Sequence, residues 1–186
     1  MIHIREYKRS WPGDFERIRE SLVGILGDLA LRIDHIGSTS VPGMAAKDVI
    51  DVQVTVETLT SEIKERLVEA GYRHKPHVTH DHVPAGEDPR PALWQKLFFV
   101  EPEGARRVNL HVRSAGQPNQ RYPLLFRDYL RAHPKAAGTI ERIKRELARR
   151  FADDVDAYYA IKDPVYDLVW RAAQEWDSRR GRSAGG

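Results

Sequence analysis

The sequence predicts an α+β fold, in which a mixed β-sheet is flanked by helices and followed by a helical C-terminal portion. Residues 32–36, 49–56, 93–100 and 108–112 have the apolar and β-branched composition of strands. Helical periodicity precedes the first of these segments, separates the second from the third, and dominates the chain from Tyr122 onward. A strand-rich part followed by a run of helices is typical of the α+β class.

The first helix is predicted from Pro12 to Leu29. Apolar residues recur there at alternating intervals of three and four, which gives one apolar face. Ser10 is a candidate N-cap, and a proline suits the first turn of a helix. The short strand at 32–36 follows and leads directly to Gly37.

The strand at 49–56 has the clearest alternation in the chain. Its apolar side chains alternate with polar ones, in the order Ile50, Asp51, Val52, Gln53, Val54, Thr55 and Val56. A period of two predicts a half-buried strand, with Asp51 and Gln53 on one face and directed away from the core.

The second helix is predicted over residues 60–71, with a threonine or serine cap at its start and a glycine at its end. The Pro- and His-rich segment 72–91 is predicted to be a loop. A short link with a proline and a glycine joins the strands at 93–100 and 108–112. These two strands are therefore predicted to form an antiparallel hairpin.

Three further helices are predicted, at 122–132, 135–151 and 153–177. Residues 1–177 are expected to form a single domain, because no repeat or linker divides them. The Arg-, Gly- and Ser-rich residues 178–186 are predicted to be a disordered tail.

The composition excludes several classes of protein. The chain has 186 residues and no cysteine, which suits one hydrophobic core and excludes a disulfide framework or a cysteine zinc site. No apolar run approaches the length of a membrane span, and the first residues lack the apolar region of a signal peptide. We therefore expect a cytoplasmic protein with no membrane partner.

The net charge of +3 is unevenly distributed along the chain. Residues 105–150 contain 12 lysines and arginines against three acids, a surplus that favours an anionic partner on one side of the molecule. A nucleoside triphosphate fits this surplus as well as nucleic acid does, and no helix-turn-helix, zinc-finger or aromatic-stacking motif argues for nucleic acid. The alternative is an Arg-rich helical surface that is only solvated.

Residues 35–54, with the sequence HIGSTSVPGMAAKDVIDVQV, carry the strongest functional signal. Gly37 allows a sharp bend and the close approach of another group. The hydroxyls that follow it lie beside backbone N–H groups and suit phosphate oxygens; they belong to Ser38, Thr39 and Ser40. A phosphate-binding turn before a strand that carries a carboxylate is the arrangement of a nucleotidyl-transfer site. Such a turn by itself also occurs in proteins that bind nothing.

The segment resembles the signature of the GrpB family, which belongs to the nucleotidyltransferase superfamily with a polymerase-beta-like fold. The resemblance covers roughly residues 11–173. It includes Asn-Leu-His-Val at 109–112, Phe-Arg-Asp-Tyr-Leu-Arg at 126–131, and one lysine in each of the last two helices, Lys144 and Lys162. It implies a nucleotidyltransferase-like mixed sheet with flanking helices.

The resemblance also implies a metal site. In the superfamily, two carboxylates two residues apart and a third on a neighbouring strand hold divalent ions, and here these positions are Asp51, Gln53 and His111. Asp51 and His111 are the implied catalytic residues, and all three are candidate ligands for Mg²⁺ or Mn²⁺. A single carboxylate weakens the site for Mg²⁺, and an imidazole shifts the preference toward Mn²⁺. A structural role for His111 is the alternative, and Asp48 ranks below Asp51.

The candidate phosphate-binding and nucleotide-binding residues combine the glycine turn with basic side chains. One lysine directly precedes the Asp51 strand, and the other basic residues lie in the C-terminal helices. The set is Gly37, Ser38, Thr39, Ser40, Lys47, Arg127, Arg131, Lys144 and Lys162. For each basic residue the alternative is a surface charge or an internal ion pair.

Two other groups of residues have a structural and a functional interpretation. The histidines of the loop have spacings that would suit a transition metal, but a polar loop without an ion is the favoured interpretation; they are His74, His77, His80 and His82. Trp94, Trp170 and Trp176 lie among apolar residues, which favours core packing over base stacking.

The leading hypothesis is a nucleotidyltransferase that binds a nucleoside triphosphate with Mg²⁺ or Mn²⁺ and transfers the nucleotidyl group to an acceptor. We expect that acceptor to be a small molecule rather than a nucleic acid. The competing hypothesis is a module of the same fold that binds nucleotide or a scaffold partner without catalysis, because two expected acids are replaced. RNA binding through the Arg-rich helices is a third alternative.

Overall fold

The computed structural model describes residues 2–183. The helices in this range are α1 (Trp11–Leu26), α2 (Ser61–Glu69), α3 (Pro118–Ala132), α4 (Pro134–Arg150) and α5 (Val155–Ser183). The strands are β1 (Arg32–Ile36), β2 (Ile50–Val56), β3 (Arg73–His74), β4 (Leu97–Val100) and β5 (Val108–Ser114).

The strands form one mixed sheet in the order β1-β2-β5-β4-β3. β2 and β5 are parallel neighbours at its centre, and the other pairs are antiparallel. The predicted antiparallel pairing of β4 with β5 is confirmed. The register places Asp51 opposite Asn109 and Gln53 opposite His111, so the two strands that carry the predicted metal ligands are adjacent.

Helices cover both faces of the sheet. α1 and α2 pack on one face, where Trp11, Leu22 and Leu67 join the apolar side chains of β2 and β5 in the largest core cluster of the described residues. α3 lies on the other face, and α4 and α5 pack against it around Phe126 and Ile140. The predicted α+β class with a helical C-terminal portion is confirmed.

The prediction that β2 is half-buried is wrong. Gln53 is 0% exposed and Thr55 is 4% exposed, although both belong to the polar side of the alternation. α3 covers that side, and the Gln53 amide donates to the Gln120 carbonyl at 3.0 Å. The polar side chains of β2 therefore face an interior layer between the sheet and the C-terminal helices.

Several element boundaries differ from the predicted ones. α3 begins at Pro118 rather than at residue 122, and β4 begins at Leu97 rather than at residue 93. The predicted loop at 72–91 contains β3. α5 continues to Ser183, beyond the predicted end at residue 177, so the expected disordered tail does not begin at residue 178.

Residues 184–186 of that expected tail lie outside the described range. No helix among residues 2–183 combines the length and the apolar character needed to cross a membrane.

Candidate active site

The glycine turn after β1 lies directly against the carboxylate of β2. Gly37 has φ 68°, and a Cβ built there would lie 2.9 Å from the Asp51 Cβ and closer still to a carboxylate oxygen. No side chain fits in this contact, because real Cβ atoms do not approach other atoms so closely and L-residues rarely adopt this φ. The sequence therefore needs glycine here to bring the turn onto Asp51.

Lys144 reaches this contact from α4. Its ammonium donates to the Ser38 hydroxyl at 2.9 Å and to the Ala45 carbonyl at 3.1 Å. Only 4% of Lys144 is exposed, and burial lowers the pKa of its side chain to about 8, an effect that Asp51 opposes and Lys162 reinforces. A lysine with this pKa is largely charged at neutral pH but can lose its proton within a pH range that enzymes use.

Two further lysines approach Asp51 across a group of tyrosines. The Lys162 ammonium lies 3.9 Å from the centre of the Tyr166 ring, and the Lys47 ammonium lies 5.2 Å from the centre of the Tyr159 ring. Burial lowers the pKa of both lysines, and Asp51 opposes this shift in each. The predicted residues Gly37, Ser38, Lys47, Lys144 and Lys162 thus surround Asp51.

The Asp51 carboxylate accepts fewer hydrogen bonds than the three nearby lysines would suggest. Its one hydrogen bond among the described side chains comes from the Asn109 amide, at 2.7 Å. Burial raises the pKa of Asp51, while Asn109 and the charges of Lys144, Lys162 and Lys47 oppose the shift. Three lysines face two carboxylates, Asp51 and the Asp163 that pairs with Lys162 at 3.2 Å, so a positive charge remains, which suits an anionic ligand.

Four other predicted phosphate-binding residues stabilise the turn itself. The Thr39 hydroxyl is 2.9 Å from the His35 ring, and the Ser40 hydroxyl donates to the Gly37 carbonyl at 2.5 Å. Arg131 donates twice to the Ser40 carbonyl, and Arg127 donates to the His35 carbonyl at 3.0 Å. Their polar groups are therefore already used to fix the backbone that presents Gly37.

The other two predicted metal ligands belong to a different polar cluster. Arg113, on β5, donates to the Gln53 side-chain oxygen at 2.8 Å and contacts the His111 Nδ1 at 3.1 Å. Asp81 binds the same guanidinium through two hydrogen bonds of 2.8 Å. Lys96 donates to Asp81 at 2.6 Å. A fixed cation therefore lies against the two atoms, the Gln53 oxygen and the His111 Nδ1, to which the predicted metal would have to bind.

The three-residue metal set predicted from the resemblance does not fit this geometry. Arg113 has no acceptor, so its contact leaves Nδ1 of His111 unprotonated, and burial together with Arg113 and Lys96 lowers the pKa of that ring well below its ordinary value. Residues 2–183 contain no group of three or more His, Asp or Glu side chains placed to hold a metal ion. Asp51 is the one carboxylate of the predicted set.

A cavity of about 170 Å³ lies between the glycine turn, β5 and α3. Its lining includes Gly37, Ser38, Asp51, His111, Arg127 and an aromatic wall of Tyr122, Phe126 and Tyr166. Asp51 is the one acid among the described residues that line it. The cavity therefore opens from the lysine-bounded carboxylate into an aromatic space.

The other groups singled out in the sequence have structural roles. His82 contacts Asp167 at 3.0 Å, His80 contacts Thr79 at 2.8 Å, and the His74 ring packs on Phe99. These histidines thus have separate partners.

The predicted core role of the tryptophans is confirmed for Trp94 and Trp170, which are 1% and 2% exposed, and Trp176 packs beside Trp170. Asp48 accepts hydrogen bonds from Lys8 and Trp11, away from the cavity.

The basic surplus of residues 105–150 is largely paired within the molecule. Arg106 binds Asp14 at 3.0 Å and also contacts Asp48, and Arg145 binds Glu6 at 2.6 Å. The acids that the rest of the chain holds in excess neutralise these arginines. The unpaired positive charge of the expected basic face is therefore much smaller than the sequence count indicates.

Sequence reasoning missed several residues of the two clusters. Tyr159 and Tyr166 lie three and four residues from Lys162 on α5, so helical spacing could have placed them together. Asp81 lies in a segment that the composition indicates only as loop, and nothing in its local sequence signals a bond to Arg113.

Comparison with known proteins identifies the family. The family model described as GrpB protein matches residues 1–171. The chain belongs to the GrpB family. Solved structures include the conserved protein GrpB from Enterococcus faecalis, which is 28% identical and has a TM-score of 0.74, with 94% of this chain and 99% of that one covered.

Curated relatives of this GrpB protein include longer chains. A dephospho-CoA kinase of Mycolicibacterium paratuberculosis is 40% identical over 92% of this chain and 46% of its own length. A UPF0157 protein of Halalkalibacterium halodurans is 30% identical over 92% of this chain and 82% of its own length. The chain thus spans about half the length of the dephospho-CoA kinases that it matches.

More distant structures establish the type of fold. A variant of the Cid1 poly(U) polymerase bound to MgATP has a TM-score of 0.52 at 13% identity, with 79% of this chain and 45% of that chain covered. The fold is nucleotidyltransferase-like, as the resemblance implied.

Proposed function

We propose that this GrpB protein binds a nucleoside triphosphate between the glycine turn and the lysines around Asp51, and transfers its nucleotidyl group to a small-molecule acceptor. The observation that carries the proposal is the contact of Gly37 with Asp51, a carboxylate on which the charges of three lysines act. A turn backbone, a carboxylate and a surplus of ammonium groups are the components that phosphoryl chemistry requires. The nucleotidyltransferase-like fold supports the same class of reaction.

Each side chain has a distinct role in this proposal. Lys144, which holds the Ser38 hydroxyl, positions the turn and contributes charge to the phosphates. Lys47 and Lys162, held over tyrosine rings, stabilise the negative charge that develops on the leaving pyrophosphate. The amide of Asn109 fixes the orientation of Asp51.

Asp51 is the residue that would hold Mg²⁺ or Mn²⁺, together with oxygens of the triphosphate. When bound, such an ion would neutralise phosphate charge and activate the attacking group. Because one carboxylate is a poor site for Mg²⁺ on its own, metal and nucleotide are expected to strengthen each other's binding.

A second candidate function is nucleotide binding without transfer. The observation that favours it is Arg113, whose guanidinium is bonded to the Gln53 oxygen and to the His111 Nδ1 and so places a positive charge at two predicted metal ligands. In this case the cavity serves a sensor or a scaffold, and the protein releases no pyrophosphate.

The replacement Asp51→Asn separates the two functions. We expect the variant to retain nucleoside triphosphate binding but to lose pyrophosphate release, measured with labelled nucleotides and a panel of small-molecule acceptors. Calorimetry should show that Mn²⁺ raises nucleotide affinity in the wild type but not in the variant.

The matched control is Asp48→Asn, because Asp48 bonds to Lys8 and Trp11 outside the cavity. This control should keep the effect of Mn²⁺. Equal nucleotide affinity in wild type and Asp51→Asn, with and without Mn²⁺, would reject the metal role of Asp51. Wild-type binding without turnover on any acceptor would favour the sensor.

A further inference from the structure

The His111 ring is held in one orientation and one tautomer. Its Nδ1 faces the Arg113 guanidinium at 3.1 Å, and its ring packs on Phe98 with the two centres 4.9 Å apart. An arginine only donates hydrogen bonds, so Nδ1 must accept, and the hydrogen of the neutral imidazole must then lie on Nε2. His111 is therefore a hydrogen-bond donor at Nε2.

Arg113 cannot readily turn away from this contact. Asp81 holds the guanidinium through two hydrogen bonds of 2.8 Å, and the Gln53 oxygen accepts a third at 2.8 Å. Arg113 is only 4% exposed, so water does not compete for these bonds. The tautomer of His111 is thus imposed by a buried network and not by the ligand.

The free Nε2 of His111 belongs to the cavity. No described residue accepts a hydrogen bond from it, and the ring lines the cavity between β5 and α3. In residues 2–183, the buried side-chain polar atoms that lack a hydrogen-bond partner are the Asp34 Oδ2 and the Asn119 Oδ1. Since Nε2 also lacks a partner but is not one of these atoms, it is not sealed inside the protein. An acceptor atom of a ligand can therefore reach it.

The opposite wall of the cavity is aromatic. Tyr122 and Phe126 lie 5.7 Å apart at 27°, and Phe126 and Tyr166 lie 4.8 Å apart at 28°. Such a wall suits a flat ring. The volume of about 170 Å³ is below that of ordinary pockets for whole ligands, so the space admits a ring and not a complete nucleotide.

We propose that this cavity binds the nucleobase of the nucleotide, and that His111 positions it by donating from Nε2 to a ring carbonyl or ring nitrogen. This proposal rests on the proposed function, because the phosphates then lie beyond Ser38 among the three lysines. It makes His111 a positioning residue and a neutral donor, and neither a general base nor a metal ligand. Arg113 positions His111 in turn.

The first test is made on the wild-type protein without ligand. The ¹⁵N chemical shifts of the two ring nitrogens of His111 report the tautomer directly. We expect an unprotonated Nδ1 and a protonated Nε2 near neutral pH. A protonated Nδ1 overturns the proposal.

The second test separates the base site from the phosphate site. Its probes are uridine and inosine for the cavity, and inorganic tripolyphosphate for the lysines. His111→Leu should weaken nucleoside binding about tenfold, the effect of one hydrogen bond left unmade, and leave tripolyphosphate binding unchanged. His111→Gln, which retains a donor, should recover part of the loss.

Lys144→Met tests the opposite pattern, since it should weaken tripolyphosphate binding and leave nucleoside binding unchanged. No nucleoside binding at millimolar concentration, or equal affinity in wild type and His111→Leu, overturns the base site. Failure of tripolyphosphate binding alone contradicts the proposed function and leaves the base site supported.

Discussion

Two charged clusters lie on the same side of the central strands, and they are built in opposite ways. The cluster at Asp81 is saturated, because Arg113, Lys96 and the Asn119 amide all donate to its carboxylate. The cluster at Asp51 is not, because its carboxylate accepts from the Asn109 amide while Lys144 donates to Ser38 and to a backbone carbonyl. The Asp81 cluster neutralises itself, whereas in the Asp51 cluster Lys144 donates only to neutral groups and Lys162 pairs with a different acid, Asp163, at 3.2 Å.

The pKa values of the two acids record this difference. Burial disfavours the charged form of both carboxyls. At Asp81 the bonds and charge of Arg113 outweigh burial and lower the pKa, whereas at Asp51 burial prevails and the pKa is raised. Removing one partner of a buried ion pair leaves an uncompensated charge, and charged groups with perturbed pKa values are enriched at ligand sites.

The greatest loss of stability is predicted for the saturated cluster. Asp81→Asn would leave the buried cations of Arg113 and Lys96 without a counter-ion, and we expect a loss of about 3–5 kcal/mol in the free energy of unfolding. Because the folded-state pKa of Asp81 is lowered, its contribution is present above pH about 4 and is lost as the pH falls further. Urea denaturation of the wild type and Asp81→Asn at several pH values measures both the loss of stability and its dependence on pH.

The control for this prediction comes from the unsaturated cluster. Lys144→Met removes a buried ammonium whose charge the fold already disfavours, so we expect it to change the stability by no more than about 1 kcal/mol. Similar losses in the two variants would contradict the contrast between the clusters.

A smaller loss of stability is predicted when the contact between Gly37 and Asp51 in the unsaturated cluster is disturbed. Gly37→Ala introduces a Cβ that overlaps Asp51 in a backbone with φ 68°, and we expect a loss of about 2 kcal/mol and of nucleotide binding. Gly43→Ala is the matched control, since φ is 79° there and a Cβ meets no atom within 4 Å. Thermal or urea unfolding of both variants isolates the cost of the overlap; equal losses would show that only backbone strain matters.

The smallest effect is a pH dependence. Because the pKa of Lys144 is lowered to about 8, triphosphate affinity should be highest below pH 8 and fall as the ammonium loses its proton. The same shift means that the unfolded state binds more protons between pH 8 and 10.5, so the contribution of Lys144 to stability rises across that range.

Calorimetry on wild type and Lys144→Arg checks the binding curve. Arginine keeps its charge, so the variant should show a flatter profile. A profile that falls identically in both would assign the titration to Lys47 or Lys162, whose pKa values are also lowered.

Individual residues show which features of the fold and the site can be predicted from the sequence. The strand at β1 and the pairing of β4 with β5 follow from local alternation and turn residues, because these signals come from neighbours in the chain. Gly37 and Asp51 were identified from their own segment, and the structure places them in contact. Thr39 and Ser40 look equally suited to phosphate in sequence, but their hydroxyls turn inward to hold the loop.

Residue types alone predict the α+β class, the glycine turn, the carboxylate strand and the resemblance to the GrpB family. These features depend on residue type and on spacing within short segments. Which charges are matched depends on the packing of distant segments, because Arg113 meets Asp81 across 32 residues and Lys144 meets Ser38 across 106. Burial and partners set the behaviour of a charged group, and both come from segments that are distant in the chain.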